Sequence, residues 1–265
     1  MKNALVTGAG KRLGRAMALD LAQRGTNVAV HYASSRDGAD ETVAQIRALG
    51  RTAVALQADL LEEEATSALV GRASEALGGP LDVLINNASI FEYDTLESAT
   101  RDSWDRHIGS NLRAPFVLIQ KFAEQAPDPV ADDQGEPRAQ ACVINMLDQR
   151  VRNLSPEFMT YTLAKTGLWT LTQTAAQALA PRIRVNGIGP GPTLRGERQS
   201  QDHFDRQRAA TVLRRGSNPD DIVGAMRYFL DAPGVTGQLL CTDGGQHLGW
   251  QTPDVLGVEI PLWEA

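Results

Sequence analysis

Cysteine is nearly absent from this 265-residue chain, which contains only Cys142 and Cys241. Both lie in apolar stretches typical of strands, so we expect buried thiols in a cytoplasmic protein and exclude a disulfide framework. Excess basic charge is also missing, because 26 lysines and arginines face 32 acidic residues. That balance excludes the electrostatic footprint of a nucleic-acid-binding protein. No apolar run is long enough to cross a membrane, so we expect no membrane partner.

The residues that are present suffice for a sizeable core, since 42% are hydrophobic and 22% charged. Without a linker or repeat, we expect one domain over 1–248, followed by a tail over 249–265 that packs on the body or on a neighbouring subunit. Strands alternate with helices, which predicts parallel βαβ units in a sheet of about seven strands with helices on both faces. Predicted strands cover 3–6, 27–31, 52–57, 81–86, 142–146, 183–188 and 238–242. Predicted helices cover 13–24, 39–49, 61–77, 104–125, 219–230 and a segment from Ser155-Pro156 to 180.

Two segments are irregular. Residues 126–140 are rich in Pro, Asp, Gln and Gly and predict a surface loop without identifiable chemistry. Residues 195–215 are polar, with a weak helical pattern, and follow the carboxyl end of a strand. They are a candidate substrate lid, and a solvated surface helix is an equal alternative.

A glycine-rich turn, Thr7-Gly8-Ala9-Gly10-Lys11-Arg12-Leu13-Gly14, connects the first strand to the first helix. Gly8 permits a tight turn, and small residues let the backbone approach a pyrophosphate. The helix that continues from Leu13 offers N–H groups and a positive dipole to the same group. The pattern predicts a dinucleotide site, with an ordinary strand–helix turn as the alternative.

The second strand ends without the acidic residue that would bind a ribose 2′-hydroxyl. It continues instead as His31, Tyr32, Ala33, Ser34, Ser35 and Arg36. Hydroxyl and guanidinium donors, with Arg12 in the adjacent turn, suit a 2′-phosphate and favour NADPH. The alternative for Arg36 is a solvated surface charge.

Further polar residues follow other strands at the carboxyl edge, where ligands of parallel sheets bind. These are Asp59 and Leu60, the segment Asn87-Ala88-Ser89-Ile90-Phe91, and Asp148. Tyr161 and Lys165 lie one helical turn apart and share a face, so the ammonium is expected to lower the pKa of the phenol. An isolated pair of this kind is more often a partly buried Tyr beside a surface Lys. Asn111 lies inside the 104–125 helix, where a buried Asn is usually a hydrogen-bonded structural residue.

Together these motifs resemble the short-chain dehydrogenase/reductase family over nearly the whole chain. The matching elements are the Thr7–Gly14 turn, Asp59-Leu60, Asn86-Asn87-Ala88, Asn111, Tyr161-x-x-x-Lys165, Pro190-Gly191 and Asp243-Gly244-Gly245. The resemblance implies a doubly wound Rossmann-type sheet, a nicotinamide cofactor and usually a homotetramer. It implies that Tyr161 is the catalytic acid/base, that Lys165 binds the nicotinamide ribose and lowers the pKa of the tyrosine, and that Asn111 anchors a relay water. It adds Pro190 and Gly191 to the cofactor site, and we expect no metal.

Two positions depart from the family pattern. Asp148 stands where the family normally has serine, and Arg12 where it normally has a small residue. With His31 and Asn87-Ala88-Ser89-x-Phe91, they resemble the pteridine reductase branch. That resemblance implies proton delivery to a pterin by Asp148 and Tyr161 and stacking of the pterin on Phe91. It also implies contacts of Arg12 and Ser89 with substrate or cofactor phosphate.

The chemistry of these side chains is compatible with this branch. Serine suits a carbonyl oxygen because it donates to developing negative charge, whereas a carboxyl group can supply a proton to an amine nitrogen. The leading hypothesis is therefore an NADPH-dependent reductase of a dihydropterin-like C=N bond. A carbonyl reductase of 3-oxoacyl thioesters, sugars or polyols is a second hypothesis. A catalytically silent dinucleotide-sensing protein is a third.

Overall fold

The computed structural model describes residues 1–196 and 199–250, so most of the predicted tail lies outside the described residues. The strands are β1 (Asn3–Val6), β2 (Asn27–Tyr32), β3 (Ala53–Gln57), β4 (Val83–Asn86), β5 (Val130–Ala131), β6 (Pro137–Arg138), β7 (Ala141–Met146), β8 (Ile183–Pro190) and β9 (Leu239–Thr242). The helices are α1 (Arg12–Gln23), α2 (Arg36–Ala48), α3 (Glu63–Ala76), α4 (Arg101–Ile108), α5 (Ala114–Gln125), α6 (Met159–Leu179), α7 (Gln201–Ala209) and α8 (Pro219–Asp231).

Seven parallel strands form the central sheet in the order β3-β2-β1-β4-β7-β8-β9. The strand order reverses between β1 and β4, and this switch point is where doubly wound sheets bind ligands. Met17, Ile46 and Phe229 pack α1, α2 and α8 on one face of the sheet. Leu69 and Phe122 pack α3 and α5 on the other face. The predicted doubly wound fold is thus confirmed.

Several predicted boundaries are wrong. The helix that carries Tyr161 starts at Met159 and not at Ser155-Pro156, and Phe158 precedes it in the left-handed region with φ +56°. Helix α2 begins at Arg36 instead of residue 39. The predicted 104–125 helix begins at Arg101 and is interrupted by a π-helical turn over Gly109–Arg113.

The segment between α5 and β7 is more ordered than the sequence predicts. Strands β5 and β6 pair antiparallel within the predicted 126–140 loop.

Of the two thiols, Cys142 is fully buried and Cys241 only partly so. Within 1–196 and 199–250, no helix combines the length and apolar character that crossing a membrane requires.

Candidate active site

Side chains from two neighbouring strands hold the glycine-rich turn in place. Gly8 has φ +62°, and its N–H donates to Nδ1 of His31 at 3.1 Å. The Nδ2 amide of Asn87 donates to the carbonyl oxygens of Thr7 and Gly8 at 2.8 and 3.2 Å. A Cβ at Gly14 would lie 2.4 Å from the Gly8 carbonyl oxygen, so only glycine fits there. The turn is therefore a close-packed unit with no room for a side chain at Gly14.

This turn fits a dinucleotide pyrophosphate. Helix α1 begins within it, at Arg12, and the first turn of this helix contains no acidic residue that would compete with an anion. The positive end of the helix dipole and the glycine backbone together favour a phosphate group. Leu13 packs partly buried against the core, so its backbone is fixed at this end of the helix.

His31 supports the turn from below instead of lining the cofactor site. It is 1% exposed. Because Nδ1 accepts from Gly8, the proton is on Nε2, which donates to the Ala58 carbonyl oxygen at 3.0 Å. Burial lowers the pKa of His31 from its ordinary value of 6.5 to about 4. The sequence analysis assigned His31 to direct cofactor contact, and the structure gives it a supporting position.

The hydroxyl-rich end of β2 lies beside the glycine turn. Ala33, Ser34 and Arg36 are exposed, and Ser35 is the N-cap of α2. A Cβ at Gly10 would lie 3.2 Å from Oγ of Ser35, so this rim adjoins the turn. Polar donors are therefore available where the sequence predicts a 2′-phosphate.

Arg12 is directed elsewhere. Its guanidinium donates to the carbonyl oxygens of Leu194 and Arg195 at 3.0 and 2.9 Å. The sequence predicts that Arg12 acts together with the Ser34–Arg36 segment at the end of β2. The structure instead gives the Arg12 guanidinium other partners. Arg12 thus links the glycine turn to the segment that follows β8.

The described part of the predicted 195–215 lid contains α7 and excludes 197–198. The guanidinium of Arg208 on α7 donates to the carbonyl oxygens of Pro192 and Ser217 at 2.9 and 2.7 Å. The hydroxyls of Thr193 and Ser217 lie 2.7 Å apart. Hydrogen bonds thus anchor α7 to both flanking segments above the sheet edge.

The other residues that the sequence analysis assigned to the cofactor lie at the same edge. They are Asp59 and Leu60 after β3, Ala88 after β4, and Pro190 and Gly191 at the end of β8. A Cβ at Gly191 would lie 2.6 Å from Cβ of Asp243, so this position requires glycine.

Asp243 closes the last turn of the described chain. Its carboxylate accepts from the Gly245 N–H at 2.9 Å, and from the N–H and Nδ1 of His247 at 2.7 Å each. Cys241, Asp243 and His247 have possible metal-ligating atoms within 4.8 Å of one another. Within this grouping, Asp243 and His247 are joined directly by a hydrogen bond.

The centre of the site is a hydrogen-bonded Tyr–Asp pair. The phenol of Tyr161 donates to Oδ2 of Asp148 at 3.0 Å, and Oδ1 of Asp148 accepts from the Arg150 N–H at 2.8 Å. Lys165, one turn after Tyr161, donates from Nζ to the Met146 carbonyl oxygen at 2.7 Å. The end of β7 and helix α6 thus bring together three of the four residues predicted to be catalytic, Asp148, Tyr161 and Lys165.

The electrostatics of this centre differ from the expectation. Burial, reinforced by the neighbouring Asp148, raises the pKa of Tyr161 well above its ordinary value. Lys165 was expected to lower that pKa, but its Nζ is held by the Met146 carbonyl and lies 5.6 Å from the ring centroid of Tyr161. Burial also raises the pKa of Asp148 and lowers that of Lys165 to about 8, although Asp148 opposes the latter. The phenol is therefore neutral and the carboxyl is its hydrogen-bond acceptor.

Asn111 lies in the π-helical turn and is fully buried. Its Oδ1 accepts from the Ser89 hydroxyl at 2.6 Å, and its Nδ2 donates to the Ile90 carbonyl oxygen at 2.9 Å. Asn111 therefore fixes the segment after β4 that carries Ser89 and Phe91.

An aromatic cluster forms the mouth of the site. Phe91 is 54% exposed, and it stacks on Phe158 with centroids 4.4 Å apart and planes 8° apart. Its edge contact with Tyr161 has a centroid distance of 4.7 Å. Tyr93 meets Phe158 edge-on at 5.2 Å, and the Arg150 guanidinium lies 5.0 Å from the Phe158 centroid. Sequence reasoning missed Phe158, Tyr93 and Arg150, because the loop contacts that bring them together leave no periodic pattern.

Fold and site together define a nucleotide-binding oxidoreductase, and comparisons with known proteins agree. The family model for short chain dehydrogenases matches residues 2–205. A 3-oxoacyl-[acyl-carrier-protein] reductase, FabG, of Staphylococcus epidermidis is 32% identical over 252 residues, 93% of this chain and 99% of that protein. An L-rhamnose 1-dehydrogenase (NAD(P)(+)) of a Sphingomonas strain is 32% identical over 94% of this chain and 98% of its own length. The chain therefore belongs to the short-chain dehydrogenase/reductase family.

Solved structures give the same result. FolM alternative dihydrofolate reductase 1 from Brucella suis, in complex with NADP, is 41% identical. It matches with a TM-score of 0.88 over 96% of this chain and 98% of its own. A short chain dehydrogenase from Burkholderia cenocepacia in complex with NADP is 31% identical, with a TM-score of 0.83 over 92% of this chain and 97% of its own.

Proposed function

We propose that this protein is an NADPH-dependent reductase that acts on a C=N bond of a dihydropterin-like ring. The observation that carries the proposal is the 3.0 Å hydrogen bond from Tyr161 to Asp148, beside the half-exposed ring of Phe91. The similarity to FolM alternative dihydrofolate reductase 1 supports the same substrate class.

The residues around the glycine turn suit the cofactor in two parts. The turn and the start of α1 offer a pyrophosphate site, and the exposed hydroxyls and Arg36 after β2 offer donors to a 2′-phosphate. When bound, NADPH supplies the hydride. Lys165 is buried one helical turn after Tyr161, and its ammonium is the proposed partner of the nicotinamide ribose.

The Asp148–Tyr161 pair supplies the proton. Burial raises the pKa of both groups, so the pair retains a proton near neutral pH. A reduced C=N bond ends as an amine nitrogen that must gain a proton, and a carboxyl–phenol pair can deliver it. An ionised carboxylate would instead repel the alkoxide formed from a carbonyl. This contrast is why aspartate in place of serine favours the pterin class.

Phe91 provides a surface for a flat ring. One of its faces is covered by Phe158, while more than half of the residue remains exposed. Stacking of a heterocycle on this exposed ring would order the substrate over Asp148 and Tyr161. We assign Ser89 and Arg12 to substrate or phosphate contacts on the same side.

A carbonyl reductase is the second candidate. The 32% identity to FabG over 93% of this chain favours it, as does the 29% identity to angucycline C-6 ketoreductase LanV with bound NADP. Family resemblance also supports a cytoplasmic homotetramer for either candidate.

The deciding experiment measures NADPH oxidation with dihydrobiopterin and, in parallel, with an acetoacetyl thioester. It uses the wild type, Asp148→Asn and Asp148→Ser. Asparagine retains the shape and an acceptor for Tyr161 but cannot carry the proton. We expect it to lower pterin turnover by roughly 10²–10⁴-fold, the range for a lost acid/base group, with unchanged NADPH affinity.

Asp148→Ser installs the usual family residue and should leave pterin turnover low while raising carbonyl turnover. Unchanged pterin turnover in Asp148→Asn would refute the role of Asp148. Turnover of the thioester alone by the wild type would select the carbonyl reductase. Turnover of neither compound, with NADPH bound, would favour a dinucleotide-sensing protein.

A further inference from the structure

Helix α6, which carries Tyr161, is capped by a residue distant in sequence. Phe158 occupies the N-cap position but has an apolar side chain and makes no side-chain cap hydrogen bond. Instead, Oδ1 of Asp94 accepts from the Thr160 N–H at 3.2 Å, and the Asp94 carbonyl oxygen accepts from the Met159 N–H at 3.3 Å. A carboxylate at this end of a helix satisfies open N–H groups and complements the dipole. The loop after β4 is thereby attached to the start of the helix.

A buried imidazole extends this attachment. His107 on α4 is fully buried, and its Nε2 accepts from the Glu92 N–H at 3.1 Å. The proton must therefore be on Nδ1, which donates to Oγ1 of Thr160 at 2.6 Å. The Thr160 hydroxyl in turn donates to Oδ2 of Asp94 at 2.5 Å. All three side chains in this chain of hydrogen bonds are buried.

The network joins the two sides of the reaction site. Glu92 directly follows Phe91, and Thr160 directly precedes Tyr161. The rings of His107 and Tyr161 also meet edge to face, with centroids 6.0 Å apart. His107, which is fully buried, thus contacts both the segment that carries Phe91 and the start of the helix that carries Tyr161.

We infer that His107 is a positioning residue which, as the neutral Nδ1–H tautomer, holds the Phe91 segment against the start of α6 and so sets the substrate-stacking surface. The substrate part of this inference rests on the proposed function. The positioning part depends only on the hydrogen bonds of the protein itself.

Protonation should release the segment. A second proton on the ring would place Nε2–H against the Glu92 N–H, so a hydrogen bond would be replaced by two facing donors. Burial lowers the pKa of His107, and the Arg106 guanidinium acts in the same direction. The carboxylates of Asp94 and Glu92 oppose it, and the Tyr161 phenol, which packs on the ring, is neutral. The segment should therefore be held at neutral pH and loosen in acid.

The first test uses the wild type without substrate. Hydrogen exchange at the Glu92 amide is followed from about pH 7 down to the lowest pH at which the protein stays folded, because burial lowers the pKa of His107. Each rate is corrected for its intrinsic value. The control is the Trp104 amide on α4, the helix that also carries His107. This amide donates to the Thr100 carbonyl at 3.0 Å and involves no imidazole. We expect protection of Glu92 to fall about tenfold more than that of Trp104, as for the loss of one buried hydrogen bond.

The second test compares His107→Phe with His107→Gln. Phenylalanine fills the space without polar atoms, whereas glutamine can accept the Glu92 N–H at any pH and never gains charge. His107→Phe should raise the KM for dihydrobiopterin about tenfold, with a smaller change in kcat and unchanged NADPH affinity. The KM of the wild type should rise in acid, where His107 gains its second proton. The KM of His107→Gln should stay low and show no such rise.

Unchanged protection of Glu92 relative to Trp104 over the whole pH range would overturn the inference whatever the substrate is. A wild-type KM in His107→Phe, or an unaltered acid dependence in His107→Gln, would also overturn it. If the wild type does not reduce the pterin, the proposed function fails, while the exchange measurement still decides the role of His107.

Discussion

His31 should make the protein lose stability in mild acid. Its imidazole is 1% exposed and its pKa falls from 6.5 to about 4 on folding. The native state therefore favours the neutral form, so the contribution is complete above pH 6.5 and is lost as the pH falls from there towards about 4. About pH 5 lies about 1.5 pH units below the ordinary pKa of 6.5. Nearly every unfolded molecule then carries a second proton on His31, and folding must release it. At about 1.36 kcal/mol per unit, this lowers the free energy of unfolding by about 2 kcal/mol.

The assay is urea unfolding of the wild type and His31→Gln at about pH 7.5 and about pH 5. Glutamine does not titrate, so the loss of stability between the two pH values should be about 2 kcal/mol smaller in this variant than in the wild type. His203→Gln is the matched control, because His203 is exposed on α7. Its pH dependence should match that of the wild type, since carboxylates and His107 contribute equally to all three proteins.

The same loss of stability in His31→Gln as in the wild type would refute the buried, neutral imidazole. An equal effect in His203→Gln would show that the difference arises from general charge and not from burial. Because Nδ1 of His31 accepts from Gly8, NADPH affinity of the wild type should also weaken as the pH falls through about 4, where a proton on Nδ1 would displace that bond.

Two further predictions concern the cofactor site. Gly14→Ala should abolish NADPH binding measured by fluorescence and lower stability, because its Cβ would lie 2.4 Å from the Gly8 carbonyl oxygen. Gly71→Ala in α3, where a Cβ meets nothing within 4 Å, should raise stability by roughly 1 kcal/mol. Equal behaviour of the two variants would contradict the packing argument. The affinity for NADPH should fall as the pH rises through about 8, because burial lowers the pKa of Lys165 to that value. An affinity that does not change with pH, or the same decline in Lys165→Met, would show that the ammonium does not hold the cofactor.

Much of the architecture followed from local sequence signals. Alternating apolar strands and amphipathic helices predicted the parallel sheet, because their periodicity depends on near neighbours. The glycine turn, the Tyr161–Lys165 face and the strand-end position of Asp148 followed for the same reason. Since parallel strands end at one edge, the sequence also predicted that these residues would meet, and the structure places Tyr161 against Asp148.

Only the tertiary structure decided how those side chains are used. The Arg12 guanidinium turns to the Leu194 and Arg195 carbonyls. The pKa of Tyr161 rises because burial and Asp148 outweigh the opposing effects of Arg150 and Ser89. The cap of α6 comes from Asp94, distant in sequence, and the helix does not start at Ser155-Pro156. Side-chain direction and desolvation depend on atoms supplied by distant segments, and no local pattern records them. Sequence thus determined which elements form and which edge carries the chemistry, while long-range packing decided charge states and hydrogen-bond partners.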